Sequence, residues 1–363
     1  MNFKPSRLSL LAAAAAAMLA ACGGGGGDTA VVAPPAVVAP SPIADVPLVP
    51  SVVSPYGAGT AEARTLAHLN TARTECGFGA LTPDARLDSM ATRHARYMVS
   101  TQPYGGNLGL SWHDELVPTN AWFTGKTAHD RAVTVGYLNS AMTNASVGEG
   151  IAPSPGGDFP GQIAPGQVYG LLNVPYHALD LLAPWQHVGI GIASGPDDRR
   201  PVSPFEALVL NYGSGRNTSG QLLAQNLPAD QVLTWPCAAT TGLVLARYGA
   251  EVPDPFPGVS RPIGTPFYVV ARKGASLRLS GLSLTQLATG KSMPLLPARY
   301  SDIERLPDGN VFSSSLLMDW AFVAPSEALP AGRYRMQFTA TVNGKPLVRS
   351  VEFTTRDSFA GFF

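Results

Sequence analysis

The stretch Thr82-Pro-Asp-Ala-Arg-Leu-Asp-Ser-Met-Ala-Thr-Arg-His-Ala-Arg-Tyr-Met98 opens with a helix start and continues along one apolar face. Thr82 to Asp84 offers an N-cap oxygen, and Pro83 falls in the first turn, where a missing N–H removes no intrahelical bond. Leu87, Met90, Ala91, His94, Ala95 and Met98 then recur at spacings of three and four, which predicts an amphipathic helix turned toward a core. Upstream, Ala63, Leu66, Ala67 and Leu69 predict a first helix over Ala61 to Thr74, ending before Cys76-Gly77. Downstream, Val188 to Ala193 and Ala207 to Asn211 are continuous apolar runs of the kind buried strands show. Between them, Gln102 to Gly166 is rich in Gly, Pro and Asn and reads as loops around short helices.

Toward the C-terminus prolines recur at 253, 255, 257, 262 and 266, and residues 248–265 read as a joint between domains. Beyond it, Phe267 to Ala271, Ser276 to Leu279, Trp320 to Val323, Tyr334 to Ala340 and Leu347 to Thr354 read as strands, with Asn343-Gly344 as a hairpin turn. An all-β sandwich over 266–356, resembling immunoglobulin-like or fibronectin-type modules, is the expected second domain.

Toward the N-terminus, Lys4 and Arg7 precede the apolar run Leu8 to Ala21, the layout of a secretory signal peptide over 1–21. The run is about 14 residues, short of the roughly 20 that a membrane-crossing helix needs. Its end, Leu19-Ala20-Ala21-Cys22, resembles the lipobox of bacterial lipoproteins, which implies a lipid on Cys22 and anchoring to the cell envelope. Gly23 after that cysteine, in place of a retaining Asp, favours the outer membrane of a Gram-negative host. Residues 22–58, with Gly23 to Gly27 and then Pro, Ala and Val, read as an extended tether, with folded structure starting near Thr60.

The 363 residues hold 25 basic and 25 acidic side chains, so no field recruits nucleic acid. Cys76 and Cys237 form an even pair in an exported chain and are expected to be bonded. No Gly-x-Gly-x-x-Gly follows a strand, and Ser214 in Tyr212-Gly213-Ser214-Gly215 lacks the nucleophile elbow.

A set of spaced features over roughly 60–215 resembles the CAP superfamily of cysteine-rich secretory, antigen 5 and pathogenesis-related proteins. In order they are Leu69-Asn70-Thr71-Ala72-Arg73, Gly79-Ala80-Leu81, His94 before Met98, His113, Asp130-Arg131, Gly136-Tyr137, Glu149-Gly150-Ile151-Ala152, Leu171 to Leu182 with His177, and Val188-Gly189-Ile190-Gly191. The resemblance implies an α+β fold: a three-layer α-β-α sandwich over 59–247, followed by the immunoglobulin-like sandwich. It also implies a cleft carrying His113, Glu149 and His177, two imidazoles and a carboxylate that suit a divalent metal such as zinc. This chain departs from the pattern in having no glutamate between Gly150 and Tyr176, in Gly150 where the family has Asn, and in Ala178 where it has Arg.

Two functions follow from that likeness. One is a binding module for a lipid or other apolar ligand, lined by Trp112, Trp122, Phe123, Tyr169 and Tyr176. The other is a metal-assisted hydrolase of envelope peptides or polysaccharides, with His113 and His177 on the ion and Glu149 as ligand or base. His94, His68 and His187 lie on or beside apolar faces and read as core histidines, and His129 as a solvated pair with Asp130 or a helix cap.

Overall fold

Close backbone approach decides the first half of the molecule. The computed structural model describes residues 43–101, 112–140, 147–155, 163–196, 204–240, 254–260, 262–303 and 317–356. Its first half holds β1 (Ile43–Val46), α1 (Ala61–Glu75), β2 (Thr82–Pro83), α2 (Ala85–Thr101), α3 (Ala128–Thr134), β3 (Val147–Pro155), α4 (Ala164–Leu172), α5 (Pro175–Leu182), β4 (His187–Gly195), β5 (Phe205–Gly213) and β6 (Leu222–Gln225). A four-stranded sheet runs β2-β4-β5-β3, with β5 antiparallel to both neighbours and β2 parallel to β4.

Helix α2 lies directly on β4 because that strand has glycines where they touch. A Cβ on Gly189 would stand 2.0 Å from the carbonyl carbon of Leu87, and one on Gly191 would stand 2.1 Å from that of Ala91. Two strand residues advance about 6.6 Å and four helical residues about 6 Å, so the two elements stay in step. Ala91, Ala95 and Met98 pack on Ile151, Ala207 and Val209 on this face. On the opposite face Val188, Ile190, Leu208 and Leu210 pack with Leu66 and Leu69 of α1, Val168 and Leu172 of α4, and Leu179 and Leu182 of α5. The arrangement is the α-β-α sandwich expected from the sequence.

Two boundaries are corrected. The cap of α2 is Asp84, whose Oδ1 accepts from the N–H of Arg86 at 2.9 Å and of Leu87 at 3.4 Å. Thr82 and Pro83 lie outside the helix as β2, where the Thr82 and Asp84 N–H groups donate to the Gln186 and Val188 carbonyls, and proline between them forfeits no ladder bond. Ordered structure also begins well before Thr60. Strand β1 pairs in parallel with β6, the Ala80 N–H donates to the Val49 carbonyl at 2.7 Å, and the Tyr56 hydroxyl donates to Asp88 Oδ1 at 2.7 Å. Cys22 and the signal-like segment lie outside the described residues.

The second half holds β7 (Leu233–Trp235), β8 (Phe267–Arg272), β9 (Leu277–Gln286), β10 (Ser292–Met293), β11 (Arg299–Tyr300), β12 (Met318–Val323), β13 (Gly332–Val342) and β14 (Lys345–Thr355). They form two four-stranded antiparallel sheets, β10-β9-β13-β14 and β11-β12-β8-β7. Phe267, Val269, Ala321 and Val323 of one sheet share a core with Leu284, Tyr334, Met336 and Phe338 of the other. The turn between β13 and β14 places Asn343 at φ 51° and Gly344 at φ 80°, the left-handed pair a two-residue hairpin requires.

The outer face of the β8–β12 sheet is buried as well. Trp235, Tyr268, Trp320 and Phe322 continue the core of the helical layer, and Tyr176 of α5 meets Phe322 edge-on with ring centroids 6.4 Å apart. All the described residues belong to one compact unit. β7 precedes the proline-rich joint in sequence yet pairs with β8 beyond it, and the expected Cys76–Cys237 disulfide follows directly after it. Among the described residues no helix is long and apolar enough to cross a membrane.

Candidate functional site

The edge strand β3 carries a buried carboxylate. Glu149 on β3 lies opposite Asn211 on β5, and Asn211 Nδ2 donates to Glu149 Oε2 at 2.9 Å. Helix α3 brings the counter-charge. Thr127 caps it with a reciprocal box, its hydroxyl accepting from the Asp130 N–H at 3.2 Å while Asp130 Oδ2 accepts from the Thr127 N–H at 3.0 Å. The next residue, Arg131, is thereby pointed inward and has no exposed surface. Its Nη2 donates to Glu149 Oε1 at 2.8 Å and Oε2 at 2.7 Å, and its Nη1 donates to the carbonyls of His113 at 3.0 Å and Lys126 at 3.1 Å.

His113 completes this ring of contacts. Its Nδ1 donates to Glu149 Oε1 at 3.0 Å, and its side chain is 41% exposed. His177 of α5 stands beside it with ring centroids 6.0 Å apart. Burial alone would push the Glu149 carboxyl upward, but the charge of Arg131, then His94 and the His113 hydrogen bond, hold it well below the usual carboxylate range. It is an anion at neutral pH.

Behind these groups lies a second buried pair. His94 Nδ1 is 2.9 Å from Glu115 Oε1 and His94 Nε2 is 3.0 Å from the Trp112 carbonyl, while Glu115 Oε2 accepts from the N–H of Thr124 at 2.6 Å. The Glu115 carboxyl and the Trp112 carbonyl thus fix both ring nitrogens of His94. His94 Nε2 is 3.9 Å from Glu149 Oε1, so the two pairs adjoin.

The structure thus brings His113, Glu149 and His177 to one place. It adds Arg131, Asn211, His94 and Glu115, which sequence reasoning did not assign to the site. Asn211 carried a usable signal, a lone amide inside the apolar run Ala-Leu-Val-Leu-Asn. His94 keeps the core role read for it, with Glu115 as an additional partner. Of the five aromatic residues expected to line an apolar pocket, Tyr169 and Tyr176 are buried in the core instead. Tyr169 meets His68 of α1, and Tyr176 meets Phe322 of β12. Trp112 stacks on Phe205 at 5.8 Å, and Trp122 lies beneath the Arg96 guanidinium at 4.5 Å. His187 Nδ1 is 2.9 Å from the Tyr137 hydroxyl, away from the cluster.

A divalent ion does not fit the three sequence-predicted ligands. Both lone-pair positions on each Glu149 oxygen are taken, by Arg131 and His113 on Oε1 and by Arg131 and Asn211 on Oε2. Among the described residues no group of three or more His, Cys, Asp and Glu side chains is disposed to hold a metal. The arrangement can orient imidazoles at a surface, and it can hold a fixed internal ion pair beneath them.

The model of the CAP family, the Cysteine-rich secretory protein family, matches residues 66–212. That span runs from α1 to the end of β5 and includes every residue of the cluster. No curated protein and no solved structure matches the chain.

Proposed function

We infer from the CAP domain at residues 66–212 that this chain is a binding module of the bacterial cell envelope, held by a lipid on Cys22 and meeting its ligand where His113 and His177 reach the surface. One observation carries the reading. The Glu149 carboxylate beneath these imidazoles spends its acceptor capacity on Arg131, Asn211 and His113, so the cleft has a closed, charge-balanced floor and offers side chains for contact rather than a reactive ion. The half-buried rings of Trp112, Trp122 and Phe123 lie on the segment that supplies His113 and favour a ligand with an apolar face. The β-sandwich, read as immunoglobulin-like, serves as packing and spacing for the first domain, with the outer membrane as the anchoring surface.

Titrating the full chain in detergent with a long-chain fatty acid, followed by tryptophan emission, tests this. A saturable change weakened by Trp122→Ala supports the module. If there is no change, and hydrolysis of envelope peptides or polysaccharides is seen and abolished by the double substitution His113→Ala, His177→Ala, the hydrolase reading replaces it.

A further inference from the structure

We propose that Arg131 is the resident cation of this cleft, occupying the electrostatic place a divalent ion would take between Glu149 and His113, and that this single side chain keeps the site free of metal. The inference goes beyond the binding reading and holds whichever ligand the cleft takes.

Of the five N–H donors of a guanidinium, Arg131 commits both on Nη2 to Glu149 and both on Nη1 to main-chain carbonyls. One of those carbonyls belongs to His113, whose ring is fixed in turn by Glu149. Arg131 therefore holds His113 at both ends, directly at its backbone and through Glu149 at Nδ1. A metal in such a cleft would perform the same service, orienting the imidazole and neutralising the carboxylate. The arginine does both without an exchangeable ligand.

The same geometry excludes the ion. A dication bound by Glu149 would displace at least one of the hydrogen bonds that fill its oxygens, and it would sit beside a buried, fixed positive charge. Arg131 cannot swing aside, because its side chain is fully buried and its four hydrogen bonds to Glu149 and to the His113 and Lys126 carbonyls would be lost together. Without Arg131, His113, His177 and Glu149 would retain two imidazoles and an anion, a donor set suited to zinc with one position left for water.

The test is metal content after dialysis of the full chain in detergent against zinc. Wild type and Arg131→Lys, which keeps a cation against Glu149, should hold no more zinc than the double variant His113→Ala, His177→Ala. Arg131→Met should gain a stoichiometric zinc that is lost again when His113 and His177 are also replaced. The proposal is overturned if wild type holds a stoichiometric zinc that depends on His113 and His177, or if folded Arg131→Met takes up none. Should Arg131→Met fail to fold, the side-chain nitrogen resonances of the wild-type histidines decide instead. Signals of His113 and His177 that stay in place on addition of zinc support the proposal, and signals that move with it overturn it.

Discussion

Two arginines of the same half of the molecule are buried completely, and they are held in opposite ways. Arg73, near the end of α1, has no carboxylate: its Nε donates to the Gly79 carbonyl and its Nη1 to the carbonyls of Leu181 and Ala183. Burial pulls its pKa down to about 9, with Tyr212 opposing. Arg131 sits against an anion that accepts from Nη2 through both oxygens. Carbonyl partners fasten three segments of chain together and create no reactive group. A carboxylate partner creates a buried ion pair whose second contact, His113, reaches solvent. The first arrangement is glue, and the second is a site.

The surroundings of Arg73 sharpen the contrast. Asn70, one turn earlier, exchanges two hydrogen bonds with the main chain of Leu81, at 3.1 and 2.8 Å. Cys76 ends α1 and is bonded to Cys237 across 161 residues. Replacing both cysteines with alanine should give the largest loss of stability in the molecule, on the order of 5 kcal/mol as an upper bound from the loop closed. Denaturant unfolding with and without reductant reads it directly. A loss near zero would mean that carbonyl bonding by Arg73 to Gly79, Leu181 and Ala183 already fixes the end of α1 without the disulfide.

Arg131→Met should come next, at about 3–5 kcal/mol, because it leaves an uncompensated carboxylate in the interior. Adding Glu149→Gln should recover a large part of that loss, since the anion then disappears with its partner. Arg73→Met should cost less, roughly 1–3 kcal/mol, as carbonyls lose a donor while a buried charge is removed. No second substitution should rescue it, for there is no counter-ion to neutralise. Equal rescue at both sites, measured by paired denaturation curves, would abolish the distinction between glue and site.

How far these features could be read in the sequence depends on how local they are. The face Leu87 to Met98 and the apolar run Val188 to Ala193 declared themselves, because helix period and a buried strand are short-range patterns, whereas the glycines that admit α2 were visible only as part of the family likeness. Asn343-Gly344 did so for the same reason. Leu69-Asn70-Thr71-Ala72-Arg73 was visible as a motif, but its purpose was not, because the carbonyls it binds at Leu181 and Ala183 lie 108 and 110 residues away. Strand β1 was hidden inside a Pro/Ala/Val stretch for a similar reason: Ile43 to Val46 extend only because Leu222 to Gln225 lie alongside. At the site, His113, Glu149 and His177 came from the likeness to a family, whereas the pairing of Arg131 with Glu149 needed the sheet to be assembled.

The smallest expected effect concerns acid. Glu149 is held below its ordinary value of 4.5, so the unfolded chain binds the proton more readily than the folded one does. The stability this contributes is complete above that value and is lost as pH falls from there through the lower folded pKa. Asp88 works the other way. Burial is the first cause that raises it, only partly offset by hydrogen bonds from the Ile190 N–H and the Tyr56 hydroxyl, so the folded chain takes its proton first and gains stability as pH falls through the raised pKa toward 3.8. The two oppose each other in weak acid. Asp84, Asp130 and Glu352 are also held below their ordinary values and add to the loss in acid, so Glu149→Gln should make that loss shallower than in wild type without abolishing it, whereas Asp88→Asn should steepen it. Denaturation midpoints for the three proteins between neutral pH and pH 3 separate these slopes. Parallel curves would mean that neither carboxyl differs between the folded and unfolded chain, and the ion pair at Arg131 would then be no more than a contact.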